Sequence, residues 1–121
     1  MAPDETFSRA ARLRGQAEFA RVFERRRSAA ADGLVVHACP NESGAEGVRV
    51  GLSVSRRVGN AVVRNRWKRR LREAFRRVRT RLPAGDYVVV VKTSRVPMGA
   101  EGARRVEETL VELATRLARR R

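Results

Sequence analysis

The spacing of apolar residues along this chain changes several times, and each change marks an element. From Gln16 to Arg26, Phe19, Val22 and Phe23 recur at i, i+3 and i+4, the period of a helix with two rings on one face. Those rings either fill a core or leave one face open as a stacking platform for a nucleobase. Ser28–Asp32 is a connector of small residues ending at Gly33. Leu34-Val35-Val36-His37-Ala38-Cys39 reads as a strand stopped by Pro40-Asn41, and Asn41–Gly47 as a polar turn. Val48, Val50, Leu52 and Val54 then alternate with Arg49, Gly51, Ser53 and Ser55, a second strand over Val48–Ser55. Together these strands predict a hairpin with one apolar face. Small residues on its other face let a ligand backbone approach closely.

Asn60 is a good helix N-cap after the basic turn Arg56-Arg57-Val58-Gly59. The helix it opens is predicted from about Ala61 to Arg79. Val63, Trp67, Leu71, Ala74, Phe75 and Val78 fall on one arc, with Asn65, Arg66, Lys68, Arg69, Arg72 and Arg76 opposite. Arg64 falls inside the apolar arc, so it either snorkels out or points into a groove beside the core. After a Pro-Gly turn at Leu82–Asp86, the run Tyr87–Lys92 (YVVVVK) predicts a strand buried on both faces, central to a sheet. Pro97–Gly102 reads as a loop. A last helix over Ala103 to Leu117 puts Val106, Leu110, Leu113 and Leu117 on one stripe. The pattern is α+β, helices against a small sheet.

Charge changes this picture at one place. Between Arg56 and Arg81 stand twelve basic residues against one acid, Glu73, a net +11 of the +15 carried by all 121 residues. The remainder is close to balance. A pI near 11.8 calls for a polyanionic partner. Of the 28 basic residues 26 are Arg, whose planar fork suits phosphates and base stacking, so RNA or DNA is favoured over a membrane surface. The length fits one domain, read as a flexible arm at 1–12, a single nucleic-acid-binding domain at 13–118 and a frayed basic tail at 119–121. A single cysteine, Cys39, excludes an intrachain disulfide and fits a reducing cytoplasm. Neither a transmembrane run nor an apolar signal core is present in the sequence.

The residues of ordinary catalysis are scarce. His37 is the only histidine and lies in a strand, where it packs or hydrogen-bonds. Cys39 has no local partner, and neither zinc-ligand spacing nor grouped carboxylates for magnesium occur. Asp86 reads as a turn residue, and Glu107, Glu108 and Glu112 as partners of a helix dipole. Any reaction served by this chain therefore takes its chemistry from a partner.

The segment GLSVSRRVGNAVVRNRWKRRLREAF resembles the signature region of the bacterial ribonuclease P protein component. The matching residues are Ser53-Val54-Ser55, Arg56-Arg57, Gly59-Asn60-Ala61-Val62, Arg64-Asn65-Arg66, Lys68-Arg69 and Arg72. The helix around Phe19 and Phe23, the strand LVVHACPN and the run YVVVVK resemble the family in the same order. The resemblance implies an α-β sandwich of order αβββαβα with a short first strand. Its small mixed sheet would contain a left-handed βαβ crossover of ribosomal-protein type, against the usual right-handed expectation. It implies a monomeric, non-catalytic subunit of a cytoplasmic ribonucleoprotein whose RNA removes the 5′ leader of precursor tRNA. Magnesium would be held mainly by that RNA. Contacts to the catalytic RNA would come from Arg56, Arg57, Asn60, Arg64, Asn65, Arg66, Lys68, Arg69 and Arg72. The leader would lie in a cleft of Phe19, Phe23, His37, Arg49, Ser53, Ser55 and Lys92. His37 stands where the family often has an aromatic, and Trp67 where an aliphatic is common. A ribosomal structural protein of the same fold is the alternative, separated by whether one RNA of a few hundred nucleotides co-purifies or ribosomal subunits do.

Overall fold

The computed structural model describes residues 11–42 and 46–119. Its elements are α1 (Gly15–Glu24), β1 (Ser28–Ala31), β2 (Leu34–Cys39), β3 (Val48–Ser53), α2 (Ala61–Val78), β4 (Gly85–Val91) and α3 (Gly99–Arg119), with a short 3-10 turn at Arg79–Arg81 after α2. This is the order αβββαβα. One four-stranded mixed sheet runs β1-β2-β4-β3.

The valines of β4 explain that order. Val88 and Val89 are fully buried, so both faces of the strand need cover and it takes the interior of the sheet. It pairs antiparallel with β2 and parallel with β3, Val36 opposite Val89 and Leu52 opposite the same residue from the other side. The expected β2–β3 hairpin is therefore wrong: β4 lies between these strands. The hairpin is instead β1–β2, with Ala31 paired to Leu34. Its two-residue turn, Asp32-Gly33, has φ of 52° and 78°, the left-handed pair that matches the twist of a tight hairpin. Ser28–Ala31 is thus a strand and not a connector.

The sheet divides the apolar residues into two clusters. On one face Trp67, Leu71, Phe75 and Val78 of α2 and Leu110, Leu113 and Leu117 of α3 pack against Val36, Val50 and Val89. On the other, α1 covers a smaller cluster of Leu13, Val22, Cys39 and Val88, flanked by Phe19 and Val90.

Element ends differ from expectation for local reasons. α3 starts at Gly99, four residues early; Gly102, placed in the preceding loop by its composition, donates its N–H to Met98 O at 3.0 Å and packs on Pro97. Arg119 belongs to α3, so of the expected tail 119–121 only 120–121 lie outside the described residues. α1 ends at Glu24, because Arg26 takes φ 54° and leaves the helix. β3 ends at Ser53, two residues short of Ser55. Of the expected arm 1–12, residues 1–10 lie outside the described residues. Ala11 is buried, Arg12 bridges Val50, and the Leu13 N–H donates to Val50 O at 2.9 Å, covering the outer edge of β3.

Candidate nucleic-acid interface

The basic stretch is helical because its ends and one face are fixed. Asn60 caps α2, its side chain accepting from the Val63 N–H at 3.0 Å. Trp67 is fully buried, and its indole N–H donates to Thr93 O at 2.9 Å, tying α2 to the segment that follows β4. Arg56, Arg57, Asn65, Arg66, Arg69 and Arg72 are exposed on the other side, with Lys68 half-buried.

Charge is distributed unevenly along this helix. Among the described residues none of Arg56, Arg57, Arg66, Lys68, Arg69 and Arg72 has an acidic partner. Further along, Arg76 and Arg77 hydrogen-bond Glu73, and these bonds, Arg76 first, hold its carboxyl down to about 2. Arg77 also lies 3.9 Å from Glu107. The first turn of α2 contains no acid, so its positive dipole end sits among positive side chains. An anion docked there relieves that conflict.

Two of the residues expected to bind RNA have structural work as well. Asn60 uses its side-chain oxygen in the cap. Arg64 is half-buried and folds back to donate from Nε to Gly59 O at 3.2 Å, which settles its place inside the apolar arc.

On the opposite face of the sheet, α1 lies over the row His37–Val88–Gly51. Phe19 sits on Gly51: a Cβ there would come within 2.5 Å of the ring. Val22 is fully buried. Phe23, 37% exposed, meets the His37 ring edge-on, with centroids 4.7 Å apart and planes at 87°. Burial, and then the charge of Lys92, push the His37 imidazole below its ordinary pKa. Its Nδ1 is shielded and has no hydrogen-bond partner among the described residues. The next row, Val35, Val90 and Ser53, is half-buried and uncovered by α1, and Lys92 and Ser55 stand exposed beyond it. These residues form a cleft with an apolar floor, an aromatic wall and a cationic outer end.

Arg49 does not join that cleft. It donates to both oxygens of Asp86 at 2.9 and 2.8 Å and to Glu42 at 2.7 Å, and Glu18 of α1 lies 3.5 Å away. Arg21 of α1 bonds the same Asp86 and reaches Cys39 Sγ at 3.1 Å, while Asn41 donates to Asp86 at 2.8 Å. Burial alone would push the Asp86 carboxyl up, but the bonds from Arg49, Arg21 and Asn41 outweigh it and hold it below the usual range. This fully buried carboxylate pins α1 to the sheet. The sequence reading missed both Asp86 and Arg21. A carboxylate directly before a strand buried on both faces was the available signal, since such a charge must find cations.

Comparison with known proteins fits this geometry. The sequence model described as Ribonuclease P matches residues 7–118. The chain belongs to the ribonuclease P protein family. It is 39% identical to the ribonuclease P protein component of Symbiobacterium thermophilum over 92% of this chain and 96% of the relative. With that of Brevibacillus brevis the identity is 38% over 89% and 83%. The solved RNase P protein of Staphylococcus aureus superposes with a TM-score of 0.72 at 29% identity, covering 90% of this chain and 95% of that one. The Thermotoga maritima protein gives 0.67 at 31% identity, covering 87% and 96%.

Within this ribonuclease P family member the expected residues separate into two surfaces and one structural group. Arg56, Arg57, Asn65, Arg66, Lys68, Arg69 and Arg72 share the outer side of α2 and its approach. Phe19, Phe23, His37, Ser53, Ser55 and Lys92 line or extend the cleft. Asn60 and Arg64 shape the start of α2, and Arg49 is taken up by the Asp86 network. Both surfaces meet at the ends of β3 and β4 from which α2 departs. Among the described residues, no group of three His, Cys, Asp or Glu side chains is placed to hold a metal ion, and no helix is long and apolar enough to cross a membrane.

Proposed function

We propose that this chain is the RNA-binding subunit of ribonuclease P and holds both the catalytic RNA and the 5′ leader of precursor tRNA. The observation that carries this is the joining of two unlike surfaces, the unpaired arginine face of α2 and the aromatic cleft beside α1, at one end of the sheet. Free guanidinium groups neutralise phosphates and release counterions without reading sequence, which suits a structured RNA. The cleft suits a single strand: Phe23 supplies a ring for stacking, Val35 and Val90 a floor, and Ser53 a hydroxyl at the far side of that floor. An extended leader in this cleft runs out toward Lys92 and meets the start of α2.

The chain places no acid or base on a scissile phosphate. Magnesium belongs to the RNA in this reading. Among the described residues the carboxylates of Asp86, Glu18 and Glu42 gather around Arg49, whose guanidinium already occupies the place a cation would take. The subunit works as one copy beside its RNA in the cytoplasm, raising substrate affinity and lowering the magnesium that hydrolysis requires.

The test is cleavage of leader-bearing and leaderless precursor tRNA by the cognate RNA at limiting magnesium, with and without the protein. Added protein should raise cleavage of the leader-bearing substrate selectively. Equal lack of effect on both substrates would sink the reading.

A further inference from the structure

Arg25, Arg26 and Arg27 follow α1 directly and form the rim of an open cavity of about 790 Å³. It lies at the end of the sheet opposite the start of α2. Its floor is apolar, made by Ala38, Pro40, Pro83, Tyr87, Ala114 and Leu117, and no carboxylate lines it. It lies past the turn that ends α1, where the Arg26 N–H reaches the carbonyl of the cleft residue Phe23, and its Pro83 and Ala84 come after α2 in the chain.

The three arginines are arranged differently. Arg27 donates to Leu117 O and so fastens the loop to the end of α3. Arg25 and Arg26 are exposed and have no ion pair among the described residues. Arg26 also occupies the left-handed position after the α1 C-cap, φ 54°, while its N–H donates to Phe23 O at 3.0 Å. That position favours Gly or Asn, so the arginine stands there against local preference.

We propose that this cavity is a second RNA-binding site, seating one unpaired nucleotide with its base on the apolar floor and its flanking phosphates on Arg25 and Arg26. Charge complementarity selects the polyanion, and the apolar floor selects a single-stranded segment over a duplex backbone. No residue of its lining belongs to the cleft or to the exposed basic face of α2, so a different stretch of RNA is held here. The proposal rests on the RNA partner named above but not on which RNA it is.

The test has two arms, both on the full-length chain. In an Arg66→Ala, Arg69→Ala, Arg72→Ala background, a single-stranded RNA hexanucleotide is titrated and backbone amides are followed by NMR. Saturable shifts at Ala38, Ala84 and Ala118 are expected. Shifts confined to Val35, Ser53 and Val90 of the cleft, or equal shifts with inorganic phosphate at matched ionic strength, would overturn the proposal. This arm requires no ribonuclease P RNA, so it can fail or succeed independently of the function proposed above. In the second arm, Arg25→Ala with Arg26→Gly is tested in the otherwise native chain against ribonuclease P RNA. Affinity is expected to fall about 3–10-fold, and the slope of log affinity on log salt to flatten by about 1.5. The melting temperature should hold or rise, because glycine suits φ 54°. Unchanged affinity and slope would overturn the proposal, as would a loss of affinity that merely tracks unfolding.

Discussion

Phe19 and Gly51 fit together as ring and bare backbone, with no space for even a methyl group between them: a Cβ on Gly51 would stand 2.5 Å from Cζ of the ring. The contact sets how closely α1 approaches the sheet, and hence the depth of the cleft beside it. Gly51→Ala should push α1 outward and destabilise the protein by about 1–3 kcal/mol, the usual range for overpacking. Discrimination between leader-bearing and leaderless substrate should fall with it. Urea unfolding and paired binding isotherms measure the two effects. An unchanged unfolding midpoint would show that the ring has room to move.

The same geometry divides the labour of the two rings. Phe19 is half-buried against Gly51, whereas Phe23 is 37% exposed and touches His37 only by an edge. Phe23→Ala should therefore weaken leader binding by about 1–3 kcal/mol, the worth of one stacked base, with a smaller loss of stability than Phe19→Ala. It should also uncover His37. Because burial is the main cause of the depressed imidazole pKa, its NMR titration should move up toward 6.5 in the variant. A larger loss of stability from Phe23→Ala than from Phe19→Ala would reverse the assignment.

Asp86 gives the fold a dependence on acid. Its folded pKa lies below the ordinary 3.8, so between those two values the unfolded chain binds more protons and stability rises with pH. The contribution is complete above the unfolded pKa and is lost as pH falls through the folded one. Asp86→Asn should remove the Asp86 share of the acid limb, leaving that of Glu73, and, by leaving Arg49 and Arg21 without their shared carboxylate, cost about 3 kcal/mol at pH 7. Chemical denaturation across pH 2–7 checks both points. Because the network anchors α1 but not α2, leader affinity should drop while the salt dependence of binding to the catalytic RNA stays as it was.

Much of this was legible in the sequence where the information is local. The period of Trp67, Leu71, Phe75 and Val78, the cap at Asn60 and the unbroken valines of β4 each determine their own element. What failed were relationships between distant segments. Nothing in the alternation of Val48–Ser53 says that its partner lies beyond an intervening helix, and Ser28–Ala31 has too few β-branched residues to mark a strand. The Asp32-Gly33 turn was a readable hairpin signal that the weak propensity of its first strand concealed. Arg49 was assigned by position in a motif; its real partner, Asp86, is 37 residues away and became visible only once β3 and β4 were paired.

The uneven pairing along α2 leads to a comparison within one helix. Arg66, Arg69 and Arg72 are exposed and unpaired among the described residues, whereas Arg76 and Arg77 are engaged by Glu73. Each phosphate contact contributes about 0.7–0.9 to the slope of log affinity against log salt. The triple variant Arg66→Ala, Arg69→Ala, Arg72→Ala should therefore flatten that slope by about 2–3. Stability should change little, since surface substitutions of this kind stay within roughly 0.5 kcal/mol each. Arg76→Ala with Arg77→Ala removes nearly as much charge from the same helix but should leave the slope close to native, because those guanidinium groups already have a carboxylate. Salt titrations of RNA affinity for the two variants, at equal protein stability, decide the matter. Equal slopes would mean that net charge alone, and not the unpaired face, determines binding.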